Sequence, residues 1–322
     1  MSLIQQTSPF WSANFLIYWY DLPVTLEYPL RAACRTRSAH CRDERSGSSS
    51  EHKEDSVLLS VIMPCYNEEQ TIRTIIDQVR AVRLEKEIIV VDDHSQDRTP
   101  EILRELAADD PLLRVIRHPV NRGKGDTIRT GLTHARGEIV IIQDSDLEYD
   151  PSDYYELVRP IIAGRVDVVF GARFLGRHTG MYFWNAVGNK FLTMMTNFLY
   201  NCWISDMETC YKVMRTDIMR SLHLESNDFR IEPEMTAKVL RLGYRIYQVP
   251  ISYMGRKYEE GKKIKKIDGL KAILTLLRFR NWHGTVPRFN PIDPATASVA
   301  LQAVREHSQY NGFTPFVSNS PN

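Results

Sequence analysis

The sequence has few of the features that settle a protein's class at once. Its five cysteines, Cys34, Cys41, Cys65, Cys202 and Cys210, are odd in number and form neither a CxxC pair nor a zinc-like His/Cys spacing. A disulfide framework and a structural zinc site are therefore not expected, and reduced thiols are. No apolar run reaches the roughly 18 to 20 residues that a membrane-spanning helix needs. FWSANFLIYWY (10–20) is too short, and residues 181–204 carry Lys190 and asparagines at 185, 189, 197 and 201, which are costly in hydrocarbon. The first residues show neither a basic segment nor a small-residue cleavage site, so export is not expected. A P-loop is missing, because GKG at 123–125 lacks its spacing, and so is the third glycine of a dinucleotide fingerprint. Lys124, at a helix start, still offers an anion its charge and the free backbone amides there. The formal charge is only +1, and no nucleic-acid partner is expected.

What is present is ordinary globular composition, 43% hydrophobic and 25% charged, over 322 residues. Residues 1–56 show no sustained period and end in RDERSGSSSEHKEDS, which reads as a poorly structured extension and linker. From there, β-branched runs alternate with helical periods. LLSVIMP, EIIVVDD, LLRVIRH, EIVIIQD and VDVVFGA read as strands, and EEQTIRTIIDQVRAVR, TPEILRELAAD, GKGDTIRTGLTHA and PSDYYELVRPIIAG as helices. Thr99 and Pro100 read as the N-cap and first-turn residue of the second helix. Such alternation specifies an α/β, mostly parallel sheet with helices on both faces, whose ligands bind at the carboxyl ends of strands. Beyond about residue 172 come a long amphipathic helix (181–204), the polar segment ISDMETCYKVMRTD, a helix around FRIEPEMTAKVLRLG and the strand YRIYQVPISYM. The stretch from Gly255 to Arg280 follows, with nine Lys/Arg against three acids, which suits an anionic partner. Residues 281–322 show no strong period and read as a loosely attached tail.

Three predicted strands end in polar residues on one sheet edge: Pro64-Cys65-Tyr66-Asn67-Glu68, Asp92-Asp93 and Asp144-Ser145-Asp146. Helix capping explains one acidic strand end but not three. In IIQDSDLEYDP, Asp144 and Asp146 can aim carboxylates at one point, with Glu148 two residues on. Hard oxygen ligands of this kind suit Mg²⁺ or Mn²⁺, ions usually shared with substrate phosphates, so a diphosphate is the expected co-ligand.

The blocks PCYNEE (64–69), VVDDHSQD (90–97), NRGKGDTIRTGL (121–132), QDSDLEYDP (143–151) and GARF (171–174) resemble the inverting family 2 glycosyltransferases. Within these the chain looks most like the polyprenyl-phosphate branch, which includes dolichyl-phosphate mannose and glucose synthases. The resemblance covers about residues 57–280 and implies a GT-A, Rossmann-like domain with amphipathic helices on its acceptor side. It implies nucleotide contacts from Pro64, Tyr66 and Glu68, base and ribose contacts from Asp92 and Asp93, and a metal centre at Asp144 and Asp146 with Glu148 nearby. It further implies phosphate-meeting cations at Arg173, Arg256 and Lys262, and an aspartate near the transferred sugar at Asp206. The expected reaction moves a hexose from a GDP-mannose or UDP-glucose type donor to a polyprenyl phosphate. A phosphate monoester, with a second pKa of about 6, is already a nucleophile at neutral pH. A saccharide hydroxyl acceptor, the alternative, would need a base, and Asp206 is then the candidate.

KKIKKIDGLKAILTLLRFR puts Ile267, Leu270, Ile273, Leu274 and Leu277 on one face of a helix over 265–280, as in an interfacial helix. The aromatic-rich helix from Met181 adds to that reading. The expected enzyme is peripheral on the cytosolic face of a membrane, docked directly or through a small anchoring subunit or homo-oligomer. Two other classes are disfavoured. A non-catalytic scaffold would have lost its acidic blocks, and a nucleotidyltransferase would carry a Gly-rich loop after its first strand.

Overall fold

Runs of Val and Ile that are apolar on both sides need cover on both sheet faces, and that need sets the architecture. The computed structural model describes residues 58–256 and 266–310. Lys262, the expected linker and the start of the expected interfacial helix lie outside those residues. The five expected strands form as β1 (Leu59–Cys65), β2 (Lys86–Asp92), β3 (Leu113–Arg117), β4 (Ile139–Ile142) and β5 (Val168–Ala172). Between them run α1 (Ile72–Ala81), α2 (Thr99–Ala108), α3 (Lys124–His134) and α4 (Tyr154–Ile162). The second helix starts at its expected cap, Thr99, which moves the N-cap one residue back to Arg98, and Thr99 Oγ1 instead accepts a hydrogen bond from the Glu68 amide.

The rest of the chain adds β6 (His178–Thr179), α5 (Phe183–Tyr200), β7 (Lys212–Arg215), α6 (Thr216–Ser221), α7 (Ile231–Arg241), β8 (Tyr247–Pro250), β9 (Tyr253–Met254), α8 (Lys266–Phe279) and α9 (Pro294–Tyr310). Among the described residues, the main sheet runs β3-β2-β1-β4-β7-β5-β8, and β6 pairs with β9 apart from it. Only β7 in the main sheet is antiparallel to its neighbours β4 and β5. The order steps outward from β1 through β2 to β3 and then returns to β4. With right-handed crossovers, α1 and α2 therefore cover one face and α3 the other. The reversal between β1 and β4 is the topological switch point where α/β sheets bind ligands.

Two segments depart from the sequence reading. The polar segment before residue 216 contains β7, whose Lys212 and Arg215 are buried, with Lys212 paired to Glu232 and Arg215 hydrogen-bonded to the Asn290 carbonyl beside Glu138. The expected loose tail is tied down over its described part. Ile292, Ala300 and Val304 join the main core, α9 packs on α4, and His307 stacks on Tyr155 with ring centroids 4.0 Å apart. A second, smaller core of Leu192, Ile204, Met207, Ala237, Ala272, Leu276 and Phe279 joins α5, α7 and α8. At about 25 cal/mol per Å² of apolar area removed from water, such clusters supply most of the packing energy.

Candidate active site

The polar strand ends do meet. Cys65 and Asp92 are register partners, and so are Ile62 and Ile142, which brings the residues after β1, β2 and β4 to one edge. Pro64 closes β1 from a buried position, Tyr66 is half-buried, and Asn67 turns the chain with φ 53°. Glu68 is buried; its carbonyl accepts from the Thr71 and Ile72 amides at the start of α1. Thr71 Oγ1 donates to Glu68 Oε2 (3.0 Å) and to the Ser145 carbonyl (3.0 Å), joining the first strand end to the fourth.

The adjacent acids after β2 have separate tasks. Asp93 Oδ1 lies 2.9 Å from His118 Nδ1, and the carboxylate accepts from the amides of Arg122 (2.8 Å) and Gly123 (2.7 Å), so it holds the loop before α3. Asp92 Oδ1 accepts from the Ser95 amide (3.0 Å), whereas Oδ2 lies 3.1 Å from Arg117 Nε and makes no well-formed hydrogen bond. Of the two acids, Asp92 is the less occupied by backbone amides. The loop that Asp93 holds is pressed against residues 226–228. Gly125 donates to the Asn227 carbonyl (2.7 Å), and a Cβ there would overlap the Ser226 carbonyl. Gly123, at φ 89°, is in the region that glycine adopts most readily.

Each carboxylate after β4 faces a cation. Lys124 Nζ, brought in by the N-terminus of α3, lies 2.7 Å from Asp144 and 3.1 Å from Glu232. Glu232 in turn lies 2.8 Å from Lys212, giving a buried row of alternating charge. Arg256 follows β9 and reaches Asp146 (2.7 Å), Glu68 (3.3 Å) and Glu148 (3.7 Å). Glu148 is further fixed by the Tyr253 hydroxyl (2.8 Å) and the Arg256 amide (3.0 Å). Burial, then repulsion from Asp144, pushes the Asp146 carboxyl up to about 7. Asp144 is held below the ordinary carboxylate range: burial opposes this, and the Lys124 ammonium prevails.

These residues fit a divalent cation by donor chemistry. Two hard-oxygen carboxylates two residues apart, Asp146 buried and Asp144 half-buried, raise each other's energy unless positive charge stands between them. Among the described residues, however, no group of three His, Cys, Asp or Glu side chains is arranged to hold a metal ion. Lys124 and Arg256 take up that charge instead.

Arg173 and Asp206 form a unit of their own. Asp206 is fully buried and accepts from Arg173 through the backbone amide (3.2 Å), Nε (2.7 Å) and Nη2 (2.8 Å). The guanidinium also lies over the Tyr253 ring, 5.3 Å from its centroid. The two residues are thus brought together, with the fork of Arg173 turned to Asp206. Sequence reasoning missed Glu232, Tyr253 and Glu208. Burial raises the Glu208 carboxyl to about 7, and its Oε1 is buried without a hydrogen-bond partner. An acid two residues after Asp206 was the available signal.

Helix α5 packs on α7 and α8 and turns Phe183, Trp184, Val187, Phe191, Met194 and Phe198 outward, and Trp203 is 91% exposed. The opposite face of α8, through Ala272, Leu276 and Phe279, is buried against α5 and α7, while Leu270, Leu274 and Leu277 are exposed and Ile273 is half-buried. Tyr200 donates to the Leu276 carbonyl (2.7 Å), tying the two helices together. Among the described residues, no helix is long and apolar enough to cross a membrane.

Comparison with known proteins adds independent findings. The family model described as glycosyl transferase family 2 matches residues 60–222, half of the chain. The dolichyl-phosphate beta-glucosyltransferase ALG5A of Trichomonas vaginalis is 26% identical over 246 residues, covering 71% of this chain and 74% of that protein. The low-salt glycan biosynthesis hexosyltransferase Agl6 of Haloferax volcanii is 28% identical over 231 residues, covering 67% of this chain and 54% of that protein. Among solved structures, glucosyl-3-phosphoglycerate synthase from Mycobacterium tuberculosis in complex with phosphoglyceric acid aligns with a TM-score of 0.56 at 25% identity, over 69% of this chain and 80% of that one. The same enzyme in complex with Mn²⁺, UDP and glucosyl-3-phosphoglycerate aligns with a TM-score of 0.53 at 24% identity, again over 69% and 80%.

Proposed function

Because the chain belongs to glycosyl transferase family 2, we propose that it moves a hexose from a nucleotide sugar to a polyprenyl phosphate at the cytosolic surface of a membrane, with inversion. That it is a glycosyltransferase of GT-A fold follows from the family and from its structural neighbours. The observation that carries the finer reading is the connection between two surfaces. Asp144 is linked through Lys124 to Glu232 at the start of α7, and α7 packs on α5 and α8, whose outward faces are apolar and aromatic. Exposed apolar patches of this kind mark lipid or protein contacts, and the basic segment that precedes α8 in the sequence favours an anionic lipid surface. The relative from Trichomonas vaginalis, a dolichyl-phosphate glucosyltransferase by name, supports the acceptor class.

Asp144 and Asp146, with Glu148 beside them, would hold Mg²⁺ or Mn²⁺, which when bound supplies positive charge against the departing diphosphate. The M. tuberculosis neighbour was crystallised with Mn²⁺ and UDP, which supports both the ion and the donor class. Lys124 and Arg256 add positive charge at the same place. Asp92 would accept from the base or ribose, and Pro64 and Tyr66 at the end of β1 would contact the nucleotide. A phosphate acceptor attacks without losing a proton, so no base is required. The engagement of Asp206 with Arg173 accords with that, and gives both residues a positioning task.

A second reading, transfer to a saccharide hydroxyl, has one observation in its favour. Glu208, raised to about 7 and with an unbonded oxygen, is a carboxyl suited to accept a proton. The experiment that separates the readings incubates the enzyme with radiolabelled UDP-glucose or GDP-mannose, Mn²⁺, and either a short polyprenyl phosphate or an oligosaccharide. Label that enters the organic phase and is released by mild acid supports the lipid acceptor. Label only on saccharide overturns it.

A further inference from the structure

Arg256 stands on the carboxylates that the proposed metal would need. Its Nη2 lies 2.7 Å from Asp146, its Nη1 3.3 Å from Glu68, and its Nε 3.7 Å from Glu148. The backbone around it is fixed separately. Met254 donates to the Glu148 carbonyl (2.9 Å), Gly255 to the Thr179 carbonyl (2.9 Å), and the Arg256 amide to Glu148 Oε1 (3.0 Å). The side chain can therefore leave by rotation about its own bonds while its Cα stays at the site. The fork is not saturated in the present arrangement: Nη1 and Nη2 each make one hydrogen bond, and Nε is buried and makes none, although burying an unbonded donor is costly. A guanidinium offers five donors in a fixed fork that matches phosphate, and these carboxylates use it incompletely.

From this geometry we infer that Arg256 is a transferable counter-ion: it neutralises Asp146, Glu68 and Glu148 until a divalent cation takes its place, and then moves to the diphosphate of the donor. This rests on the donor site proposed above and adds a coupling to it. The same carboxylates cannot hold the guanidinium and a divalent ion together, so metal alone must work against the ion pairs. Metal with nucleoside diphosphate does not, because the displaced guanidinium gains a new anionic partner. Metal and nucleotide then bind with positive cooperativity, and by linkage each raises the affinity of the other equally. Lys124 does not share this freedom, since it is held between Asp144 and Glu232.

The test measures Mn²⁺ binding to the full chain by electron paramagnetic resonance of the free ion, with and without UDP, for wild type, Arg256→Gln and Arg256→Lys. Thermal melts confirm that each variant is folded. Arg256→Gln is expected to bind Mn²⁺ alone about tenfold tighter than wild type, and to lose about tenfold of the enhancement that UDP gives. Arg256→Lys, charged but without the fork, falls between. Unchanged or weaker binding of Mn²⁺ alone by Arg256→Gln, in a protein whose wild type binds Mn²⁺ and UDP together, overturns the counter-ion role and leaves the donor site standing. Tighter Mn²⁺ binding with the UDP enhancement intact overturns the transfer to phosphate. A wild type that binds neither Mn²⁺ nor UDP overturns the proposal and the donor-site reading together.

Discussion

Replacement of Asp206 by Asn tests whether this residue clamps the site or reacts in it. The carboxylate has no exposed surface and takes three hydrogen bonds from one residue, Arg173, which is itself buried. The amide keeps the shape, but it removes the charge and turns an NH₂ group toward one of the guanidinium donors. Removing one partner of a buried ion pair costs about 3 to 5 kcal/mol, because the remaining charge is left uncompensated. For a domain of this size each kcal/mol lowers Tm by about 2 to 4 °C. Even the low ends of both ranges give a fall of about 6 °C. Arg173→Lys, which keeps charge but loses the fork, should fall by less. The assay is calorimetric or circular-dichroism melting of purified protein without ligands, alongside turnover with radiolabelled donor. A variant that melts within 2 °C of wild type yet has lost turnover would falsify the clamp, since it would show that the charge is needed by the reaction and not by the fold.

Burial, with repulsion from Asp150 and Glu156, raises the Asp153 carboxyl to about 7 even though it accepts from the Ser252 amide (2.7 Å). A folded-state pKa above the unfolded value means that the native state binds the extra proton, so this group's contribution is fully present below about pH 4 and lost as pH rises to 7. Asp153→Asn should accordingly gain stability over wild type as pH rises, by about 1 to 2 kcal/mol at pH 8 after allowance for partial exposure, and almost nothing at pH 4. Urea titrations at both pH values measure this, and a gain that is equal at the two would refute the assignment. Separately, Trp184→Ser with Phe198→Ser, two largely exposed side chains, should weaken sedimentation with anionic phospholipid vesicles at least tenfold while leaving Tm within about 1 °C. Vesicle binding by wild type that ignores anionic lipid or salt would remove the membrane reading.

How far the fold could be read from residues depended on where each element's partners lie. β1, β2 and β4 announce themselves because Val and Ile fill both faces, and the acids that follow them inherit a common edge from parallel pairing. β7 did not announce itself, since two of its four residues are Lys212 and Arg215, whose burial makes sense only with Glu232 and the Asn290 carbonyl in place. Helix α9 was hidden for a related reason: its buried positions, Ala300 and Val304, are small, and α4 supplies the rest of the contact. At the site, residue type marked which acids matter but not how they are shared. Asp92 and Asp93 are indistinguishable in the sequence, yet one pairs with Arg117 and the other holds the loop before α3. For Arg173 and Arg256, a phosphate-binding residue type was legible, whereas the carboxylates each one faces come from 33 to 188 residues away.

The lone reversed strand also governs the order in which the molecule can be assembled. β3, β2, β1 and β4 pair among themselves using residues up to 142, whereas β5 and β8 have no route to them except through β7. The half that gathers the β1, β2 and β4 acids can therefore condense early, and the half carrying Arg173 is stitched on only when residues 212–215 slide between the two. Closing that gap across some seventy residues is a slow, non-local step, so damage near β7 should surface first as poor yield of folded protein rather than as altered chemistry.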